Sequence, residues 1–275
     1  MFNQTAYALG ANRSCIRELF EYGRSRAAIV GPENVYDYSL GNPSIPSPKG
    51  VNDAIRDILL DTPSLLVHGY TSATGDLEAR KAISKDLNTR YGADTKPEEF
   101  FLGCGAAPEL CSVFRALSVP GGELIAVAPY FPEYRPFAQE AGLQFKVVPP
   151  DVPDFQISLP RLEALITSHT QAVLINTPNN PSGVVYTRET LQALAALLTR
   201  KAEHYGHPIY LISDEPYREL AYGVEVPFVP GIYRDTLICY SYSKSLSLPG
   251  ERIGYVYVPQ AATDGKALYA AVAGA

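Results

Sequence analysis

One pattern, repeated three times in the second half of the chain, constrains the fold more than any other feature. A short apolar run is followed each time by a polar cluster rich in turn-forming residues. The three pairs are AVLI with NTPNNPSG at 172–183, IYLI with SDEPY at 209–217, and LICYSY with SKS at 237–245. Short apolar runs bounded by turn signals are typical of buried strands.

Amphipathic helices are predicted between these strands, for example at 187–205, where Leu191, Leu194 and Leu198 share one face. Apolar strands that alternate with such helices favour a mostly parallel sheet covered on both faces. We therefore predict an α/β fold, a three-layer sandwich. Ligands of such sheets bind beyond the carboxyl ends of the strands, so the three polar clusters should meet in one crevice.

Composition and charge exclude two classes of partner. The chain has 275 residues, 46% of them hydrophobic, and a net charge of −6. Its 23 Lys and Arg residues are scattered, which argues against nucleic acid as a partner. No segment approaches the roughly 18 apolar residues of a membrane span, and no signal peptide is recognised, so no membrane partner is expected. The four cysteines form no metal or disulfide pattern, which favours a cytoplasmic protein without a metal site.

A reactive lysine is the strongest chemical signal. The segment SYSKSLSLPGERIG places Lys244 directly after an apolar strand, beside the hydroxyls of Ser241 and Ser243 and the guanidinium of Arg252. Partial burial lowers the pKa of a lysine and makes its amine a nucleophile toward an aldehyde. Arg252 is suited to bind a phosphate with two hydrogen bonds. A lone lysine is usually a solvated surface charge, so this interpretation depends on the whole segment.

The segment GCGAAPEL, which begins at Gly103, is a candidate anion site. It lies between a predicted strand and a helix expected to begin at Pro108, since proline is favoured as a first helical residue. Backbone amides near Gly105, Ala106 and Ala107 would bind a phosphate at that helix terminus. The alternative is a dinucleotide-binding GxGxxG fingerprint, but Pro108 stands where its third glycine is needed.

Together these segments resemble the fold-type-I pyridoxal-phosphate-dependent aminotransferases of class I and II, of the aspartate aminotransferase type. The segment around Lys244 matches their cofactor-lysine signature SxSKxxxxPGxRxG at every defined position. The resemblance implies pyridoxal 5′-phosphate as cofactor, joined as a Schiff base to Lys244. It also implies a set of phosphate-binding residues: Gly105, Ala106, Ala107, Ser241, Ser243 and Arg252.

The other clusters extend the resemblance. NTPNNPSG is similar to the family's Asn-Pro-Thr-Gly segment, which implies that Asn180 binds the cofactor's phenolic oxygen and the substrate; Ser182 replaces the usual threonine. SDEPY matches Asp-Glu-x-Tyr, which implies Asp214 at the pyridine nitrogen and Tyr217 near the phenolic oxygen, both catalytic with Lys244. PYFPEY implies Phe131 as the ring stacked on the cofactor. Taken alone, Asp214 would suit a helix N-cap and Phe131 ordinary core packing.

Two earlier segments imply a homodimer and a substrate contact. HGYTSATG resembles the segment whose tyrosine, here Tyr70, reaches the phosphate of the neighbouring subunit. LGNP resembles the loop whose glycine, here Gly41, contacts the substrate carboxylate. The implied domains are an N-terminal arm with part of a small domain at 1–48, the cofactor-binding large domain at 49–260, and the start of a connection to a missing C-terminal small domain at 261–275.

The end of the chain departs from the family pattern. No arginine follows Arg252 in this sequence, whereas the family's carboxylate-binding arginine normally comes from the later small domain. We therefore expect a C-terminally truncated chain with an incomplete small domain and with apolar surface uncovered on its N-terminal segment and on its final helix. The implied function is transamination between an amino acid, aspartate-like in character, and a 2-oxo acid. The alternatives are a C–S lyase of the same fold and a fragment that binds cofactor without turnover.

Overall fold

A computed structural model of the chain describes residues 2–11, 15–39 and 41–275. The chain divides into two compact units, Met1–Pro46 and Ser47–Ala275. The first unit contains helices α1 (Gln4–Ala11) and α2 (Cys15–Val30) and a short 3-10 turn at Pro32–Asn34. The second unit contains the sheet and all the elements described below.

The helices of the second unit are α3 Lys49–Asp61, α4 Ser64–Val67, α5 Leu77–Tyr91, α6 Ala106–Ala116, α7 Tyr134–Glu140, α8 Leu159–Leu165, α9 Arg188–Tyr205, α10 Tyr242–Ser245 and α11 Gly265–Gly274. Its strands are β1 Phe100–Gly103, β2 Glu123–Val127, β3 Gln144–Val148, β4 Thr170–Asn176, β5 Tyr210–Asp214, β6 Thr236–Ser241 and β7 Gly254–Tyr257. Short 3-10 turns lie at Pro97–Glu99, Arg218–Leu220 and Val229–Gly231.

Capping residues fix the ends of the longer helices. The side chain of Asp76 accepts a hydrogen bond from the backbone N–H of Ala79 and begins α5. Thr187 does the same for α9, whose last residue is followed by Gly206 in the left-handed conformation. Polar caps before a helix and glycine after it satisfy backbone groups that the helix itself leaves unpaired.

The strands form one seven-stranded sheet in the order β1-β7-β6-β5-β4-β2-β3. β7 runs antiparallel to its neighbours β1 and β6, while the other neighbouring pairs are parallel. Successive residues of a central strand face opposite layers: on β2, Leu124 and Ala126 pack on one side, and Ile125 and Val127 on the other. Helices α6, α7 and α11 cover the first face and α8 and α9 the second. The three-layer, mostly parallel fold predicted from the sequence is confirmed.

The last helix is a correction to the sequence analysis. Leu268 and Val272 of α11 are only 6% and 1% exposed, because they pack with Leu110 and Phe114 of α6 in the main core. The expectation of uncovered apolar surface on this helix is therefore wrong for these side chains. Within the described residues, no helix is both long enough and apolar enough to span a membrane.

Candidate active site

The polar clusters lie at one edge of the sheet, where β4, β5 and β6 end side by side. Asn176 is the register partner of Asp214 at the ends of β4 and β5. Asp214 is in turn the partner of Cys239 on β6. Residues from all three clusters line one pocket with a volume of about 230 Å³. The convergence expected from parallel strands is therefore present.

Asp214 is the buried carboxylate of this pocket. It is 5% exposed, and its Oδ2 accepts a hydrogen bond from the hydroxyl of Tyr134. Its Oδ1 is buried without a hydrogen-bond partner in the described part of the chain. Burial raises the pKa of Asp214 to about 7; the Tyr134 hydrogen bond lowers it, and the charge of Glu215 raises it. A cationic N–H donor at Oδ1 would both satisfy this oxygen and favour the ionised carboxylate.

Asn176 joins the loops that follow β4 and β5. Its Nδ2 donates to the backbone carbonyl of Asp214 at 2.8 Å, and its Oδ1 accepts from the backbone N–H of Asn180 at 2.6 Å. The side chain of Asn180 then donates to the hydroxyl of Tyr217 at 3.2 Å. Burial raises the pKa of Tyr217, so this group is a neutral hydroxyl at physiological pH. The amide and the hydroxyl are thus neighbouring donors on one side of the pocket.

Lys244 lies in α10, the single helical turn that follows β6. The Oγ of Ser241 accepts from the backbone N–H of Ser243 at 3.1 Å and caps this turn, while its hydroxyl donates to Ser243 Oγ at 2.7 Å. This cap fixes the start of α10 and therefore the position of Lys244 at the edge of the sheet. Lys244 is half-buried, and burial lowers the pKa of its amine. A lower pKa increases the neutral fraction, the form that attacks an aldehyde.

A glycine turn and an arginine form the opposite end of the pocket. α6 begins at Ala106, directly after Gly105, whose φ of 98° lies in the left-handed region. The expectation that this helix begins at Pro108 is wrong by two residues, because the first-turn amides lack intrahelical acceptors and proline is tolerated there. A Cβ on Gly105 would lie 2.9 Å from Nη2 of Arg252, so glycine permits the guanidinium to approach the turn. Nη1 of Arg252 donates to the carbonyl of Pro249 at 3.1 Å.

Most of the residues singled out from the sequence line this pocket. They are Ala106, Ala107, Phe131, Asn180, Asp214, Tyr217, Ser241, Ser243, Lys244 and Arg252. Gly105 adjoins the pocket through its contact with Arg252. Tyr70 is fully exposed after α4 and lies outside it. Gly41 belongs to the first unit, and its role at the substrate carboxylate stays a prediction.

The structure adds two residues that sequence reasoning missed. Tyr134, 1% exposed, lies three positions after Phe131, and their rings meet edge to face with centroids 5.6 Å apart. A buried tyrosine resembles any core residue in a sequence, so only its position in PYFPEY gave a signal. Asn176 begins NTPNNPSG, and its place at the end of an apolar run was the only signal in the sequence that could have identified it.

These groups fit pyridoxal 5′-phosphate. The half-buried amine of Lys244 suits its aldehyde, and the unsatisfied Oδ1 of Asp214 suits a protonated pyridine nitrogen. The amides after Gly105, the two serine hydroxyls and Arg252 together suit a phosphate dianion. No cluster of three or more His, Cys, Asp or Glu side chains able to hold a metal ion is found within the described ranges.

Comparison with known proteins gives the family. Residues 33–272 match the family of class I and II aminotransferases, which depend on pyridoxal phosphate. The chain is 34% identical over 238 residues to an aspartate aminotransferase from Thermotoga maritima, covering 85% of this chain and 60% of that protein. It is 33% identical to the aspartate/prephenate aminotransferase of Thermus thermophilus, covering 80% of this chain and 55% of that one.

A solved structure shows the same fold along the whole chain. The crystal structure of an amino transferase from Eubacterium rectale superposes with a TM-score of 0.97 at 54% identity, covering 100% of this chain and 69% of that one. The chain thus spans 55–69% of the length of these three relatives. It belongs to the aminotransferase class I and II family.

Proposed function

We propose that the protein transfers an amino group between an amino acid and a 2-oxo acid with pyridoxal 5′-phosphate as its cofactor. The observation behind this is the placement, in one pocket, of the Lys244 amine, the unsatisfied Asp214 carboxylate and the glycine turn with Arg252. The names of the relatives agree with amino transfer. When bound, the cofactor supplies an aldehyde for the amino group and a ring that accepts electrons from the substrate α-carbon.

The residues at the pocket edges hold the cofactor in place. The N-terminal amides of α6, the hydroxyls of Ser241 and Ser243 and the guanidinium of Arg252 bind the phosphate. Phe131 packs on one face of the ring and excludes water from it. The side chain of Asn180 and the hydroxyl of Tyr217 donate to the phenolic oxygen.

Two residues manage charge and protons. Oδ1 of Asp214 would accept a hydrogen bond from the protonated pyridine nitrogen, and this positive charge would lower the pKa of the carboxyl from about 7, its value in the pocket without cofactor. The amine of Lys244 would hold the cofactor through its aldehyde, and as a free amine it would serve as the general base that takes the α-proton of the substrate and as the acid that gives this proton back to the cofactor–substrate adduct. Burial lowers the pKa of this amine and so favours the basic form.

We propose an aspartate-like substrate, with Asn180 and Gly41 contacting it. Support comes from the aspartate aminotransferase names of the Thermotoga and Thermus relatives. All described pocket residues lie in the unit Ser47–Ala275, which supports the proposal that 49–260 is the cofactor-binding large domain.

We also propose a homodimer in which Tyr70 reaches the phosphate of the neighbouring subunit. Helix α3 has no buried residue although its sequence is amphipathic. Exposed apolar side chains continue from α3 into α4 and include Ile58, Leu59, Leu60, Leu65 and Leu66. An apolar face of this extent next to an exposed tyrosine is suited to pack against a second copy of the chain.

We propose a cytoplasmic location, and the free thiols of Cys104, Cys111 and Cys239 agree with it.

Two assays test the function. Pyridoxal phosphate added to the protein should give the visible absorbance of a lysine-linked cofactor, which Lys244→Ala abolishes and the surface control Lys266→Ala keeps. Addition of aspartate and 2-oxoglutarate should then yield the exchanged pair, oxaloacetate and glutamate. Release of pyruvate and ammonia from a cysteine conjugate without amino transfer would indicate the lyase, and the absorbance without any turnover would indicate a binding fragment.

A further inference from the structure

Glu109 is a buried carboxyl beside the pocket for which the proposed function has no role. It lies in the first turn of α6 and is 2% exposed. Neither of its two carboxyl oxygens accepts a hydrogen bond of normal geometry in the described part of the chain, although the backbone amides of Gly105 and Tyr240 lie close enough to lower its pKa. Buried polar atoms are normally paired, so two unpaired oxygens on one side chain require an explanation.

Two glycines make the space that this carboxyl occupies. Gly103 and Gly254 are register partners on β1 and β7. A Cβ on Gly103 would lie 2.9 Å from both Cγ and Oε1 of Glu109, and a Cβ on Gly254 would lie 2.5 Å from Oε1. We call this space, bounded by Gly103 and Gly254, the paired-glycine notch. Any side chain at either glycine would collide with Glu109.

The notch lies directly under the phosphate end of the pocket. The same Cβ position on Gly254 is 2.9 Å from Cα of Gly105, and the Cβ position on Gly105 is 2.9 Å from Nη2 of Arg252. Close contacts therefore run without a gap from Glu109 through Gly254 and Gly105 to Arg252. A change in the size or position of the Glu109 side chain would be transmitted to the turn whose amides face the phosphate.

The surroundings of Glu109 disfavour its ionised form. Burial raises its pKa well above the ordinary value, and the charge of Asp214 on β5 raises it further. The backbone amides of Gly105 and Tyr240 and the guanidinium of Arg252 lower it by less. Cys239 on β6 also interacts with Glu109, and burial together with the charge of Glu109 raises the pKa of this thiol, so it adds no positive charge.

We propose that Glu109 is a positioning residue of the cofactor site: its side chain fills the paired-glycine notch and holds the Gly105 turn against Arg252. This rests on the proposed pyridoxal-phosphate function. A neutral acid fills the notch without placing a second negative charge beside Asp214 and beneath a phosphate dianion. An ionised and unpaired carboxylate there would cost free energy and repel the cofactor.

The first test measures the dissociation constant of pyridoxal phosphate by absorbance titration of the cofactor-free chain. Glu109→Gln, which keeps the shape and is always neutral, should stay within about threefold of the parent chain. Glu109→Ala empties the notch and should raise the constant about tenfold, the scale expected when a supporting group lets a binding turn shift.

A double-mutant cycle tests the notch itself. The Cβ introduced by Gly103→Ala meets only Glu109 among its nearest neighbours, so this variant should also weaken binding by pushing the carboxyl. In the Glu109→Ala background the same change should have no further effect, because the colliding side chain is gone. Equal effects of Gly103→Ala in both backgrounds would contradict the positioning role. If Glu109→Ala does not fold, the dissociation constants of the Gly103→Ala and Glu109→Gln variants test the positioning role instead.

The outcomes separate this inference from the proposed function. A parent chain that binds pyridoxal phosphate while Glu109→Ala binds equally well overturns the inference alone. So does a folded Glu109→Gln variant whose dissociation constant rises about tenfold, since the site would then need the anion. A parent chain that shows no binding overturns the proposed function and this inference together.

Discussion

The hydroxyl of Tyr134 donates a hydrogen bond to Oδ2 of Asp214 and leaves Oδ1 of the same carboxylate unpaired among the described residues. Both side chains are almost fully buried. The tyrosine thus fixes one oxygen and leaves the other for the pyridine nitrogen that we propose binds there. It is also the interaction that opposes the rise in the pKa of Asp214 caused by burial.

The first prediction concerns this hydrogen bond. Tyr134→Phe removes the donor, so the pKa of Asp214 rises further and less carboxylate is ionised at neutral pH. The dissociation constant of pyridoxal phosphate should increase about tenfold, as for loss of a hydrogen bond to a charged group. The pH below which pyridoxal phosphate binding is lost should also move upward, as measured by absorbance titration between pH 5 and 8. Tyr130→Phe is the matched control, because that hydroxyl contacts only Arg135 at 3.3 Å among the hydrogen bonds described.

The second prediction concerns stability of the cofactor-free chain. The folded pKa of Asp214 is about 7, above roughly 3.9 in an unfolded chain, so the folded state binds the extra proton between these values. The contribution of Asp214 to stability is therefore greatest below about pH 4 and is lost as pH rises to about 7. The Asp214→Asn variant does not undergo this loss, so it should be more stable than the parent at pH 8, by up to about 4 kcal/mol.

Denaturant unfolding at pH 4 and pH 8 measures this difference. The gap between Asp214→Asn and the parent should nearly close at pH 4. Pyridoxal phosphate should reverse the order at pH 8, since only the parent holds the pyridine proton. A pH-independent gap would show that Asp214 is not a buried acid with a raised pKa.

A buried ion pair next to the site gives a third prediction. Nε of Arg218 donates to Oε2 of Glu215 at 2.7 Å and Nη1 to the Tyr255 hydroxyl at 3.0 Å, with the guanidinium over the Tyr240 ring. Arg218→Ala would leave Glu215 charged and buried, at a cost of about 3 kcal/mol or more in unfolding free energy.

The control for that variant is an exposed ion pair. Lys81 and Glu78 lie 2.8 Å apart on the surface, with half or more of each side chain exposed. Lys81→Ala should cost less than about 1 kcal/mol. Similar losses for the two variants in chemical denaturation would contradict the special role of the buried pair.

The fourth prediction concerns self-association. The double change Ile58→Lys and Leu65→Lys places charge on the apolar face of α3 and α4 and should shift the chain to monomer. Sedimentation velocity over a range of concentrations measures this. Val119→Lys with Val152→Lys is the matched control, because these side chains are also apolar and exposed but lie in other segments. A parent chain that is monomeric throughout would contradict the homodimer.

The sequence predicted those parts of the structure that depend on local patterns. The strand ends at Asn176, Asp214 and Ser241 follow from apolar runs that stop at polar residues, and parallel pairing then brings them together. Strand β7 was not predicted, because GYVY is short and its antiparallel pairing with β1 and β6 is non-local.

Contacts made only by tertiary packing could not be predicted. Tyr134 contacts Asp214, which lies 80 residues later in the sequence, and the segment PYFPEY contains no signal for this contact. Glu109 is invisible for a similar reason: a first-turn glutamate normally faces water and complements the helix dipole. Its burial depends on two glycines from different strands, Gly103 and Gly254, which the sheet register places side by side.

The central claim is that Lys244 binds the cofactor. Treating the pyridoxal-phosphate complex with borohydride makes the lysine linkage permanent, and peptide mass spectrometry then identifies the modified residue. We predict the phosphopyridoxyl mass on Lys244, in about one equivalent per chain at saturation. Modification of a different lysine, or none at all in a folded chain saturated with cofactor, would contradict the account.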